Sequence, residues 1–583
     1  MEALFEQLRP AEEAAREFLA GIAFPLSPVL LFLRFVFPLL AILIFGRCMW
    51  PLLSGGRPAK PYAYLGLPNG AKLPLTHWEN SVGRGKNCDA QIDMPSVSRT
   101  HAVISRRGGG WRVTDIGSLG GVKVNGTPCE GWAEVSEGDS LAFADVEVTF
   151  LPALEGMEPP EARTFAVRAA EIAAGFRPGT TLLFILLFQV LGVIEMSLLA
   201  GEDFSIIPPV VFGFLVLLEA IYYFVTRGRG KRYIEPELLA FFLCGIGLFV
   251  AAAADPYSML KQFFAVLLGV GLFLVLSFFL NNIDRTRIAR YLFAFGAVGL
   301  LAVNLILAET RFGARNWIQI GPLSFQPSEF VKIAFVFAGG ATLERLLTKQ
   351  NLIKFIGFSG VCIGAMALMR DFGGALIFFV AFVVILFMRS GDLRLIAVIS
   401  TGTAAGAFVV ASFMPYIAAR FEAWRHAWDF VDTKGYQQTR TMIYTASGGL
   451  TGVGSGQGYL RGVAAADTDL VFGLVAEEWG LIVAMVCALT PVAFAVFAAL
   501  SVRASRSALY AITACGAAAV LLTQAALNVF GSLDILPLTG VTLPFISNGG
   551  SSMTACWGLL ACIKAVDERH RAQAVPDDAG GAL

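Results

Sequence analysis

Two aspartates, Asp467 and Asp469, stand where a long polar stretch (residues 415–472) gives way to an apolar segment. A carboxylate held within reach of a hydroxyl can take its proton, and burial tunes its pKa toward the working pH. The same stretch carries Arg420, Arg425, Lys434, Arg440 and Arg461, then the glycine run GGLTGVGSGQG at 448–458. Guanidinium forks match phosphate oxygens, so these cations suit a phosphate or pyrophosphate. A second cluster starts near Gln326, where Ser328 and Glu329 fall on one helical face with Lys332. Charges in apolar surroundings default to function, facing a partner or a wet cavity. Glu477 and Glu478 follow two turns into the next apolar segment, and one of them is a candidate partner for Lys332 or Arg315. Plainer roles compete: Asp469 as a helix N-cap, Glu329–Lys332 as a structural pair, and the loop cations as a solvated surface shared with Glu422, Asp429 and Asp432.

The elements that must position these groups are apolar. The chain is 56% hydrophobic and 15% charged, with mean hydropathy +0.67, against about 45–50% and 25% in soluble proteins. That composition specifies a polytopic, mainly α-helical membrane protein. Apolar segments near 28–46, 181–199, 206–225, 237–254, 262–280, 292–308, 328–344, 354–369, 372–388, 394–413, 472–498, 508–530 and 549–566 make about thirteen expected spans, each near the roughly 20 residues a bilayer requires. Segment 28–46 contains Arg34 and Pro38 and is taken as an anchor, with a re-entrant helix as the alternative. Loops rich in Lys and Arg (227–232, 281–290, 344–354, 389–394, 502–506 and the tail from Lys564) fall on one side, the cytoplasm. The stretch 415–472 then lies outside and its arginines run against the charge bias. Zero net charge supplies no field for nucleic acid. Nine scattered cysteines without CxxC and four dispersed histidines give no metal-ligand spacing.

One region differs in texture. Residues 58–155 alternate apolar and polar positions in short runs separated by Gly, Asn and Pro, which predicts a small all-β sandwich. Gly83-Arg84, Ser98-Arg99-Thr100-His101, Asp115-Ile116-Gly117-Ser118 and Val124-Asn125-Gly126 follow in order, and the region resembles a forkhead-associated (FHA) domain. The resemblance implies phosphothreonine recognition by Arg84, Ser98 and Arg99, with His101 as a buttress. Leu119-Gly120 replaces the family's Thr-Asn, which removes the asparagine that would hold the peptide backbone.

From about 236 to 566 the chain resembles the FtsW/RodA/SpoVE (SEDS) peptidoglycan polymerases. Four separated motifs carry the likeness: Gly313 to Ile318 with Phe325-Gln326-Pro327-Ser328-Glu329-Phe330-Val331-Lys332; Asp371-Phe372-Gly373-Gly374-Ala375; Gly435-Tyr436-Gln437 with Asp467 to Leu470 and Ala476 to Gly480; and Leu536 to Gly540 with Leu543 to Ser552. Asp467 stands where the family often has histidine, Asn548 replaces its usual tyrosine and Arg370 its proline. The implied organisation is an N-terminal segment with an anchor (1–57), the FHA-like domain (58–155), a linker with two extra spans (156–235), a ten-span core (236–568) and a tail (569–583). Both the FHA-like domain and the tail are expected in the cytoplasm.

The resemblance implies polymerisation of lipid II into glycan strands at the outer face of the membrane. Asp469 matches the family's essential aspartate. Arg315, Trp317, Gln326, Ser328, Glu329, Lys332, Arg420, Gln437, Arg440 and Glu478 are the expected substrate ligands, with a divalent cation (Mg or Mn) as an optional helper and its ligands unassigned. Trp317 has two roles open, interfacial anchor or sugar platform. Pro327, Pro537, Pro544 and Gly549-Gly550 break helices at the outer face and point to a groove there. Expected partners are the nascent glycan strand, a class B penicillin-binding transpeptidase and a phosphothreonine protein. A lipid II flippase and a phospho-dependent scaffold are the competing classes; no internal repeat of the transporter kind is evident.

Overall fold

The computed structural model describes residues 9–567, apart from 17–25, 55–60, 154–176, 282–285, 344–348, 413–419 and a few scattered positions. The 156–176 part of the linker, the 569–583 tail, most of residues 1–25 and the start of the long polar stretch lie outside the described residues.

Alternation builds the β region as expected. In the strand at 146–152, Val146, Val148 and Phe150 point inward while Glu147 and Thr149 are exposed. Eleven strands form two sheets: β1 (Ala63–Gly66), β2 (Lys72–Leu75), β3 (Glu79–Gly83), β4 (Ala90–Gln91), β5 (Ala102–Arg107), β6 (Gly110–Asp115), β7 (Val122–Val124), β8 (Thr127–Pro128), β9 (Trp132–Val135), β10 (Ser140–Phe143) and β11 (Val146–Pro152). One sheet runs β2-β1-β11-β10-β7-β8 and the other β4-β3-β5-β6-β9. Leu65, Val82, Ile104, Val113, Leu141 and Phe150 fill the core between them.

The helices are α1 (Leu26–Ser54), α2 (Pro178–Ala200), α3 (Ile207–Gly228), α4 (Glu235–Ala254), α5 (Pro256–Leu280), α6 (Arg290–Leu307), α7 (Pro327–Leu343), α8 (Lys349–Leu368), α9 (Phe372–Ser390), α10 (Leu393–Ser412), α11 (Tyr436–Gly448), α12 (Val471–Trp479), α13 (Leu481–Val502), α14 (Ala508–Ser532) and α15 (Gly550–Lys564). Their starts follow local chemistry. Asp255 accepts the Tyr257 and Ser258 amides before Pro256 opens α5, and Asp371 accepts the Gly374 amide at the head of α9. Gly391, at φ 61, ends α9 in the left-handed conformation that favours glycine. Between α6 and α7 a small sheet of β12 (Glu309–Arg311), β13 (Ala314–Ile320) and β14 (Leu323–Phe325) carries Arg315 and Trp317.

Among the described residues, ten helices are long and apolar enough to cross a membrane, α1 included, rather than the thirteen expected. The expected spans at 328–344 and 549–566 become helices of 17 and 15 residues. Both are buried along nearly their whole length, so their ends meet protein instead of lipid, which relieves the length requirement. The third, at 394–413, runs partly outside the described residues, within which Leu393–Thr403 is a shorter apolar helix. The expected span at 472–498 is kept as α13 but starts later, because Gly480, at φ 86, separates α12 from α13. The polar stretch 415–472 is no open loop: from Arg420 onward it holds α11 and two short 3-10 turns at Ala427–Phe430 and Leu460–Gly462.

Candidate active site and phosphopeptide site

Asp469 sits in a turn tied on every side. Ala465 takes a positive φ of 63, and its carbonyl accepts the amides of Thr468, Asp469 and Leu470 at 3.3, 2.9 and 3.2 Å. The Asn528 amide donates to the Asp469 carbonyl (3.0 Å) and to the Val541 carbonyl (2.8 Å), and the Ser547 hydroxyl donates to the Thr468 carbonyl (2.6 Å). Helix α12 starts without a side-chain cap, with Leu470 in the N-cap position. The cap alternative for Asp469 is therefore overturned, and its carboxylate is left to face elsewhere. It faces Gly540, where a Cβ would sit 3.3 Å from its Oδ2. With φ of 70, Gly540 is a position that favours glycine for its backbone as well.

The charges around Asp469 come from distant parts of the chain. Burial pushes its carboxyl up to about 6; the Thr468 hydrogen bond and the Arg420 guanidinium oppose that shift, and Asp467 and Asp371 add to it. Arg420 is anchored by donating to the Leu538 carbonyl at 3.0 Å. Asp371 accepts from the Asn316 amide at 3.0 Å, which brings β13 to the head of α9. All four motifs thus reach this one place. Asp467 accepts from the Asn548 side chain at 2.8 Å, so two of the departures noted in the sequence are partners. Arg370, the third, takes φ 60, a value the proline ring forbids. The turn into Asp371 is built differently here from one that carries proline.

Lys332 is 4% exposed and is held by both oxygens of Glu329 (2.7 and 2.8 Å) and by Gln524 Oε1 (3.0 Å). Gln524 in turn donates to Thr542 and Ser552. Lys332 is thus the hub of a satisfied buried network, which realises the paired alternative rather than a free pyrophosphate ligand. The network still reaches the site, because Gln524 and Asn528 lie one turn apart on α14. Ser328 is buried beside it, and the Gln326 amide donates to the Ser551 hydroxyl.

Glu477 and Glu478 meet neither Lys332 nor Arg315. Glu477 accepts the Tyr459 and Leu460 amides at 2.8 and 2.9 Å, and Glu478 accepts the Gly456 amide at 3.0 Å. Glu478, expected among the substrate ligands, is 2% exposed and clasps the glycine run. The run is a close-approach segment: a Cβ on Gly448 or Gly452 would overlap the backbone carbonyls of Ala476 or Glu478. Arg315 spends its guanidinium on the Ala308 and Ile306 carbonyls and stays exposed. Trp317 lies opposite Glu309 in the β12–β13 ladder. Gln437 donates to the Ala464 carbonyl at 2.9 Å, just before the Asp469 turn, and the Arg440 guanidinium lies over the Tyr436 ring. Among the described residues no group of three or more His, Cys, Asp or Glu is arranged to hold a metal ion.

Sequence reading missed Asn316, Asp371, Gln524 and Asn528 as site builders. The signal for the last two was a polar pair four residues apart inside the apolar run 508–530.

In the β region His101 is fully buried. Its Nδ1 accepts the Ser98 amide (3.1 Å), which leaves Nε2–H to donate to the Gly121 carbonyl (2.9 Å). Gly83 lets β3 end against this loop, where a Cβ would lie 2.5 Å from the Arg99 carbonyl. The Arg84 amide donates to the Ser98 carbonyl, so Arg84, Ser98 and Arg99 share one edge. The Ser98 hydroxyl accepts the Leu119 amide at 3.1 Å. Leu119 itself is 98% exposed, and a side chain on Gly120 would overlap the Ala144 methyl. The missing asparagine has no room in this backbone.

Comparison with known proteins matches residues 80–144 to the FHA domain and residues 247–572 to the FtsW/RodA/SpoVE cell cycle proteins. The peptidoglycan glycosyltransferase RodA of Mycobacterium tuberculosis is 28% identical over 376 residues, 59% of this chain and 80% of that protein. The probable peptidoglycan glycosyltransferase FtsW of Coxiella burnetii is 33% identical over 270 residues, 44% of this chain and 73% of that protein. The crystal structure of the Thermus thermophilus rod shape determining protein RodA is 24% identical and covers 59% of this chain and 98% of its own, with a TM-score of 0.43. With its matched region filling more than half of its length, and its four motifs gathered around Asp469, the chain belongs to the FtsW/RodA/SpoVE family.

Proposed function

We propose that this chain is a peptidoglycan glycosyltransferase that polymerises lipid II at the outer face of the cytoplasmic membrane, with a phosphothreonine-recognition module inside. The observation that carries it is the setting of Asp469: a half-buried carboxylate at the meeting point of four motifs, beside Arg420, with its pKa raised toward neutrality. In the reaction, Asp469 takes the proton of the acceptor sugar 4-hydroxyl as that oxygen attacks the anomeric carbon of the donor. The bond from that carbon to the lipid pyrophosphate breaks, and the pyrophosphate leaves with the electron pair. Arg420, the cation acting on Asp469, serves the developing negative charge. Asp371, held by Asn316, supplies a like charge that helps keep the Asp469 pKa raised. Loop charges support placing the 415–472 region outside and the FHA-like domain inside. The family resemblance supports a class B transpeptidase partner that cross-links the product.

The test is lipid II polymerisation by the purified full chain. The protein should convert lipid II into glycan strands, and Asp469→Ala should abolish that while leaving thermal unfolding cooperative. Normal polymerisation by the alanine variant would remove Asp469 from the chemistry.

A further inference from the structure

Helices α1 and α2 precede the region matched to the family, yet they reach its catalytic segment. They run antiparallel. At one end the Arg47 guanidinium donates to the Thr181 hydroxyl, and at the other Arg34 and Glu195 lie together. That second end meets the glycine run. The Arg34 guanidinium donates to the Val453 carbonyl at 2.6 Å. Glu195, 1% exposed, lies against the Ser455 backbone amide, and Leu199 of α2 would be 3.0 Å from a Cβ on Gly454. A charged side chain on an apolar membrane helix is costly and is retained where it is paired or functional. Here both polar ends are directed at loop backbone.

The far side of the same loop is held by α12. The Val453 and Gly454 amides donate to the Glu477 and Glu478 carbonyls, at 2.9 and 3.0 Å. Trp479, the last residue of α12, is stacked on Phe188 of α2 (5.3 Å between centroids) and edge-on to Phe37 of α1 (4.9 Å). Helix α12 has nine residues and begins two residues after Asp469. One short rod therefore has the carboxylate at its head, with the glycine run and both added helices at its foot.

We propose that Arg34 and Glu195 are positioning residues for Asp469: the two added helices clamp the glycine run against α12 and thereby fix the catalytic turn. This rests on the reading of Asp469 as the base. It gives helices outside the family core a share in the reaction, exerted through backbone they hold rather than through contact with substrate.

The test uses the full chain in nanodiscs with Arg34→Ala, Arg34→Lys and Glu195→Met. Two quantities are read: amide hydrogen exchange over residues 448–470, and kcat and KM for lipid II. Arg34→Ala is expected to speed exchange across the glycine run at least tenfold. It should also lower kcat at least tenfold, with KM changed less than twofold. Arg34→Lys keeps a donor for the Val453 carbonyl and should recover most of kcat, a rescue that a general loss of packing would not show. If Arg34→Ala does not fold, Glu195→Met, which keeps the side chain's length but removes the acceptor for the Ser455 amide, should move exchange and kcat in the same direction. Unchanged exchange with kcat within twofold of wild type would overturn the proposal. The exchange measurement does not depend on catalysis. A wild-type protein that makes no polymer would defeat the functional reading, while faster exchange in Arg34→Ala would still establish the clamp.

Discussion

Acidification should slow the polymerase well above the pH at which an ordinary aspartate titrates. Burial holds the Asp469 carboxyl at about 6. A group with that pKa is about 97% ionised at pH 7.5 and about 9% at pH 5, so a rate that needs the carboxylate falls roughly tenfold between them. An unperturbed aspartate would still be about 93% ionised at pH 5, and the rate would hardly change. Neighbours set the direction of further shifts. Arg420→Gln removes a cation that favours the carboxylate, so the midpoint should move up; Asp467→Asn removes a like charge, so it should move down. The assay is the pH profile of kcat/KM for lipid II in the purified full chain, with both variants run beside wild type to cancel ionisation of the substrate. A wild-type profile flat down to pH 5 would refute the argument, as would Arg420→Gln moving the midpoint down. Stability supplies a second check. Because the folded pKa lies above the unfolded one, the proton on Asp469 stabilises the fold below about pH 4, and that contribution disappears as pH rises through about 6. Asp469→Asn should then stabilise the protein at neutral pH by at most about 3 kcal/mol, and by less for a group only half-buried.

Three further outcomes follow from the packing. Lys332→Met leaves the Glu329 carboxylate buried without its cation and should cost about 3–5 kcal/mol, and adding Glu329→Gln should restore much of it; thermal unfolding of the three proteins checks this. Gly452→Ala places a Cβ on the Glu478 carbonyl at a positive φ and should disable polymerisation, while Gly462→Ala, with open space around it, should be tolerated. Arg84→Ala should weaken binding of a phosphothreonine peptide to the full chain at least tenfold, measured by anisotropy, whereas equal binding of phosphorylated and plain peptide by wild type would end the assignment.

Much of the architecture was legible because it depends on local pattern. Apolar length marked the helices, and alternation marked the sandwich, since Val146, Val148 and Phe150 need no distant partner to be recognised as one face. The break at Gly480 was not visible, because a single glycine in an apolar run is compatible with an unbroken helix. What requires glycine there, besides its φ of 86, is the Leu450 backbone thirty residues upstream, which occupies the space a side chain would need. The roles of Glu477 and Glu478 were misassigned for the same reason. Charge suggested a cationic partner, but the groups that reached them were backbone amides of Gly456, Tyr459 and Leu460. Asp469 stood out by its place at the end of the polar stretch. Its supports did not, because Asn528, Ser547 and Gly540 are ordinary residues made specific only by where the fold sets them. The loss of asparagine after Leu119 could be seen in the sequence, whereas the Ala144 methyl that excludes it could not.

The Asp467–Asn548 contact limits how this enzyme can be recombined. The two residues are 81 positions apart, and the Asn548 amide also donates to the Asp467 carbonyl, so the pair joins the catalytic turn to the segment before α15 by side chain and backbone together. A chimera that imports the 415–472 region from a relative with histidine at this position would set an imidazole against an asparagine that here donates to a carboxylate. For this chain the unit of exchange is therefore two discontinuous segments, moved together.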